Sequence, residues 1–304
     1  MGSPASPVFK IALLSVFVVS AAFILAHSVV NRGGTDSVHY LSCQYSTFSE
    51  DRLFYGEAIR QARGSHRSAY RGNGGRISLG IVSHHLLVKD LISSYFERLC
   101  RETRPSTIVL VGPNHRSRGT APVAISALAW KTPFGIVQPD LEVVHALARS
   151  NLAEINEDAF YDEHSIGAVV PFLRGFLPGT RIVPVAIRSD ADSAQVMQLA
   201  DWLAEKITSD ILVIGSMDFS HYQPSPIAIQ EDEQTLAIIR DFRTDQWRRA
   251  YVDSRKTLLL LLHIAGRISS RDFEMVHHTN SGILLNKENA PCTSYINGFF
   301  RLTH

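Results

Sequence analysis

The sequence predicts an α/β domain with a mostly parallel central sheet flanked by helices on both faces, preceded by an N-terminal transmembrane helix. Three observations lead there. Short apolar runs, among them Ile77–Val82, Thr107–Val111, Arg181–Ile187 and Ile211–Ile214, have the length and continuity of strands buried on both faces. Segments of helical spacing lie between them, and such alternation builds a parallel sheet covered by helices. Finally, Ile11–Val30 is interrupted only by Ser15, Ser20, His27 and Ser28 and carries no acid or strong base. As a helix it rises about 30 Å, enough to cross a bilayer core.

The division expected is an N-terminal flank over 1–10, an anchor over 11–30 that makes the protein a single-pass membrane protein and is favoured over a cleaved signal peptide, a tether over 31–75 and an α/β domain over 76–304. The tether mixes Gly, Ser, Arg and Tyr without a sustained period, apart from a short helix around Glu50–Ala62. After the strand Ile77–Val82, the apolar spacing of Leu87, Leu91, Tyr95, Phe96 and Leu99 predicts a helix over Leu86–Cys100. Thr107–Val111 is the second strand and Pro122–Ser126 a third. Asp140 caps a helix over Leu141–Ser150, and Glu163–Phe176 reads as one further helix, stopped by Gly179. Strand Arg181–Ile187 follows, then a helix from Asp192 to Lys206 and strand Ile211–Ile214. Pro226–Arg240 and Ser254–Ala265 are helices, and Thr293–Leu302 is a closing strand.

Composition narrows the function. Of 304 residues 45% are apolar and 19% charged, and the net charge of +1 provides no basic field for nucleic acid. Arg60, Arg63, Arg67, Arg71 and Arg76 stand in a stretch without acids from Ala58 to Lys89, read either as a solvated linker or as a contact with anionic lipid headgroups. Cys43, Cys100 and Cys292 are too far apart for a disulfide framework or a thiolate zinc knot. No GxSxG elbow, P-loop, GxGxxG or HExxH motif occurs.

What the chain does offer is histidine at strand ends. His84 follows the first strand, His115 the second and His221 the run ending at Ile214. Carboxyl-terminal strand ends are where open α/β sheets gather ligands, and neutral imidazole is the commonest ligand of transition metals. Gly112-Pro113 stops its strand abruptly and turns His115 outward. Asp218, three residues before His221, is placed either to fix a ring tautomer or to cap a turn. His164, in the first turn of its helix, is a proton donor or a partner for a bound anion. Of His277 and His278, at most one can face a shared centre, because neighbours on a regular element diverge.

The ordered motifs GIVSHH, LVGPNHRS, TPFG followed by Asp140, DEHSIGAVVPFL, RIVPVAI, GSMDFSHY and SGILL resemble the Memo-like family, also called AmmeMemoRadiSam system protein B, from about Arg76 onward. That resemblance implies the fold of class III extradiol dioxygenase catalytic subunits, with a non-haem metal in a cleft at strand ends. It puts His84, His115 and His221 at the metal, with His221 as ligand, base or both, and matches His164 and Asp218 to the family's EHS and DFSH motifs. Fe(II) is the favoured ion, with copper or zinc as alternatives. Where the family pattern has a cysteine, or a glutamate in the dioxygenases, this chain has Val276, His277 and His278, so either a histidine, His277 ahead of His278, is the substitute ligand or the metal site is incomplete. Two functions follow: a metal-dependent oxidoreductase of dioxygenase type, with a small molecule or peptide as partner, or a non-enzymatic metal- or peptide-binding module using the same cleft.

Overall fold

The computed structural model describes residues 40–42, 51–64 and 75–302, within one compact unit of Val38–His304. Its elements are β1 (Tyr40–Ser42), α1 (Arg52–Gly64), β2 (Arg76–Val82), α2 (Lys89–Glu102), β3 (Thr107–Pro113), β4 (Val123–Ile125), β5 (Ala129–Thr132), β6 (Gly135–Val137), α3 (Leu141–Arg149) and β7 (Glu154–Ile155). They continue as α4 (His164–Gly167), α5 (Val170–Phe176), β8 (Arg181–Ile187), α6 (Ser193–Ala204), β9 (Ile211–Ser216), β10 (His221–Gln223), α7 (Ser225–Arg240), α8 (Arg255–Arg267), β11 (Asp272–Asn280), α9 (Ser281–Leu284) and β12 (Cys292–Leu302).

The main sheet runs β10-β12-β2-β9-β3-β8-β4-β7, with β11 on the other edge of β12. Its centre, β2-β9-β3-β8, is parallel. Strand β12 is antiparallel to β2, β10 and β11, and β4 is antiparallel to β8. The expectation of a mostly parallel sheet is therefore corrected to a mixed sheet with a parallel core. Successive residues of the central strands point to opposite faces: Ile108 and Leu110 join one core with α1, α2 and α5, and Val109 and Val111 join the other with α6, α7 and α8. Each such buried aliphatic side chain contributes about 1.5–3 kcal/mol. Within the stretch expected to be a tether, α1 buries Tyr55, Ala58 and Ile59 in the first of these cores. Beside this sheet lies a three-stranded one of order β1-β5-β6.

The transmembrane helix and the single-pass membrane localisation are corrected as well. Among the described residues no helix is long and apolar enough to cross a membrane; the stretch 11–30 itself lies outside the described residues. The helix expected over Glu163–Phe176 is two: α4 ends at Gly167 and α5 starts at Val170, with Pro171, which has no amide proton to donate, in its first turn.

Candidate metal centre

Strands β2, β3 and β9 end at one edge of the sheet, and each delivers a side chain there. At the end of β2, Ser83 donates its amide to Asn297 Oδ1 at 2.8 Å, which ties the segment to β12. His84 follows, 1% exposed. Its amide donates to Asp218 Oδ1 at 3.2 Å, and its Nδ1 lies 3.1 Å from Ser216 Oγ at the end of β9. Nε2 is left facing two carboxylates, 3.1 Å from Asp253 Oδ2 and 3.6 Å from Asp218 Oδ2.

At the end of β3, Asn114 turns the chain. Its side chain accepts from the Arg118 amide at 3.0 Å and donates to the Arg118 carbonyl at 2.8 Å. The turn aims His115 at Glu163, whose Oε2 accepts from the His115 amide and whose Oε1 meets Nδ1, both at 2.8 Å. Oε1 also accepts the Ser165 amide at 2.9 Å as the cap of α4, and Ser165 Oγ donates to the Pro113 carbonyl at 2.8 Å. One carboxylate thus ties β3 to α4. His115 Nε2 points the same way as that of His84 and lies 3.5 Å from Asp253 Oδ2. His164 stacks on His115 with ring centroids 4.0 Å apart and meets His84 edge-on at 5.0 Å.

Asp253 precedes α8, donates its amide to the Asp218 carbonyl at 3.1 Å, and is followed by Ser254, the true cap of that helix. Both Asp253 carboxylate oxygens are buried and accept no hydrogen bond from the described residues, although two imidazole nitrogens stand in front of them. Among the described residues two groups hold ligand atoms mutually within 4.8 Å: His84, His115 and His164, and His84, Asp218 and Asp253.

The charges are strongly coupled. Burial opposes charge on His84, yet Asp218 and Asp253 outweigh it and raise its pKa. Against burial too, the neighbouring carboxylates of Asp253 and Glu163 raise His115 to about 9. Although burial resists ionisation at Asp253, the positive His84 and His115 hold it well below the usual carboxylate range. Burial first, then the positive His84 and His115, lower His164 to about 3, so this ring is neutral near pH 7. A neutral ring of such low basicity neither donates as an imidazolium acid nor readily takes a proton; it hydrogen-bonds or ligates.

The structure brings His84, His115, His164 and Asp218 together. His221 lies on β10, paired with Thr293, and belongs to neither converging group. Asp218, whose spacing allows either a ring partner for His221 or a turn cap, accepts the His84 amide. His277 and His278 also stand apart: His277 Nδ1 is 3.4 Å from Asn297 Nδ2, and His278 Nε2 is 2.9 Å from Asp232 Oδ2. Val276 packs partly buried against the first core. Asp253 was missed because an acid just before a helix reads as a cap, and only tertiary packing separates the two roles.

Fold and cluster together define an α/β protein with a buried imidazole and carboxylate centre at its strand ends. The profile of the family described as Memo-like protein matches residues 81–296, and the chain belongs to that family. It is 34% identical over 148 residues to a MEMO1 family protein of Sulfurisphaera tokodaii, covering 45% of this chain and 50% of the relative. It is 29% identical over 197 residues to one of Methanosarcina barkeri, covering 62% and 73%. A MEMO1 family protein of Methanothermobacter thermautotrophicus is 33% identical over 163 residues, covering 52% and 59%. The chain thus spans about half the length of the first of these relatives. The crystal structure of uncharacterized protein JW3007 from Escherichia coli K12 shares the fold, with a TM-score of 0.52 at 15% identity over 73% of this chain and 99% of that one.

Proposed function

We propose that His84, His115 and Asp253 hold one divalent transition-metal ion and that the protein is a metal-dependent enzyme of oxidoreductase type. The observation that carries this reading is the Asp253 carboxylate, buried and without a hydrogen bond while two ring nitrogens face it at 3.1 and 3.5 Å. Two donors that share an ion at roughly 2.1 Å each, at right angles, stand about 3 Å apart. A buried acceptor facing two nitrogens without a directed hydrogen bond suits a cation better than a proton. Two histidines and one carboxylate favour non-haem Fe(II) over zinc or copper. When bound, such an ion supplies Lewis acidity and one-electron chemistry.

The chain's own residues do the rest. Ser216 and Glu163 engage Nδ1 of His84 and His115, leaving each Nε2 free to ligate. Asp218 fixes the His84 backbone. His164, neutral and stacked on His115, is placed to orient a substrate hydroxyl by a hydrogen bond. His277 and His278 are engaged with Asn297 and Asp232, and Asp253 supplies the third donor from a different element.

The test is metal content of the full-length protein purified anaerobically. The wild type should carry about one transition-metal equivalent per chain, and His84→Ala, His115→Ala and Asp253→Ala should each lose it while keeping their far-ultraviolet circular dichroism. Retention of metal in all three folded variants removes the reading.

A further inference from the structure

We propose that the cavity beside this centre binds a small organic anion, a carboxylate or phosphate ester with an apolar body, held at its charged end by Lys256 and Arg248. The cavity measures about 450 Å³, within the range of small-molecule sites. Asp253 and His115 line its inner end, Trp247, Val252 and Ile187 give it apolar wall, and Arg248 and Lys256 supply positive charge.

Asp192 and Asp190 act on that charge only from a distance. Among the described residues neither Arg248 nor Lys256 has a carboxylate within ion-pair distance; Lys256 Nζ donates to Ser193 Oγ at 2.8 Å, and both cations lie over the Trp247 ring, at 4.4 and 5.4 Å from its centroid. The acids nearby are engaged elsewhere. Asp190 is chelated by Arg188 at 2.6 and 2.9 Å, Asp192 caps α6, and Asp253 faces the histidines. Partial burial and the neighbouring Arg248 hold the Lys256 ammonium below its ordinary pKa, against the opposing pull of Asp192 and Asp190. Two cations and an aromatic plate on one wall, with a metal-competent centre at the far end, suit a molecule anchored by its anion and presented by its apolar part.

The inference rests on the metal-centre reading only for what happens at the inner end, and the two are tested apart. Full-length protein stripped with EDTA is titrated with benzoate, phenyl phosphate and the neutral isostere benzamide, and dissociation constants are read by ligand-observed NMR. Benzoate or phenyl phosphate should bind about tenfold more tightly than benzamide, and the order of the two anions identifies the head group. Lys256→Gln and Arg248→Gln should each weaken anion binding about fivefold, the scale of one partly exposed charge pair, and leave benzamide unchanged. Lys256→Gln should keep its metal, while Asp253→Asn should lose metal yet bind benzoate at least as well as the wild type. Equal binding of benzoate and benzamide, or anion affinity indifferent to both Lys256 and Arg248, overturns the proposal whatever the metal result.

Discussion

Glu163→Gln is the sharpest probe of how the centre is built. The carboxylate accepts from three donors: the His115 amide at Oε2, and His115 Nδ1 and the Ser165 amide at Oε1. Glutamine has one acceptor oxygen and one donor group. If its oxygen takes the Oε1 position, its amide nitrogen meets the His115 N–H at 2.8 Å. If it flips, the nitrogen meets the Ser165 N–H, and His115 Nδ1 must become an acceptor, which moves the ring proton to Nε2 and blocks ligation. Either way a buried donor loses its partner, at about 1–3 kcal/mol. Loss of such an orienting partner lowers metal affinity about 10- to 100-fold, or about 1.4–2.7 kcal/mol. Calorimetric titration of Zn²⁺ into metal-free wild type and Glu163→Gln measures it, with thermal unfolding as the control for folding. A folded variant that binds zinc within twofold of the wild type refutes the assigned role of Glu163.

Three other outcomes are expected. Burial, then the nearby Arg98, lowers the His277 pKa to about 4; because the unfolded ring titrates near 6.5, stability is whole above that pH and lost as pH falls from 6.5 toward 4. The loss amounts to about 2 kcal/mol by pH 5, so urea midpoints of His277→Gln should fall less than wild type between pH 7.5 and 5. A Cβ at Gly112 would lie 2.6 Å from Ser165 Oγ and 2.7 Å from Ser165 Cβ, so Gly112→Ala should push α4 off β3 at a cost of about 1–3 kcal/mol, seen as a lower melting temperature together with weaker zinc binding. Arg301, 2% exposed, donates to Glu274 at 2.6 Å and Glu102 at 2.8 Å; Arg301→Met should destabilise by about 3 kcal/mol in chemical denaturation, and adding Glu274→Met should recover part of that.

The strand ends were legible because nearly pure apolar runs have one physical use. Ile77–Val82, Thr107–Val111, Arg181–Ile187 and Ile211–Ile214 all lie in the parallel centre, and His84 and His115 follow two of them. The cap Asp140 was legible too: its Oδ1 accepts the Val143 amide at 3.3 Å. Strand β11 was not, since Asp272–Asn280 carries Glu274, His277 and His278, whose polarity is tolerated only because Arg98, Arg301 and Asp232 wait across the packed interface. Asp253 was illegible for the same reason. Its chemistry depends on two rings that reach it from positions more than a hundred residues earlier in the chain.

Strand β12 has a bearing on how this protein comes into being. It fills the gap between β2 and β11, and its Asn297 steadies Ser83 across a separation of 214 residues. A growing polypeptide therefore cannot finish its sheet until nearly all of this stretch has left the ribosome. Such distant pairing slows folding and leaves β2 with an open edge in the meantime. Refolding should be slow and prone to clumping when concentrated, and the histidine beyond Ser83 is among the last groups to reach its final position.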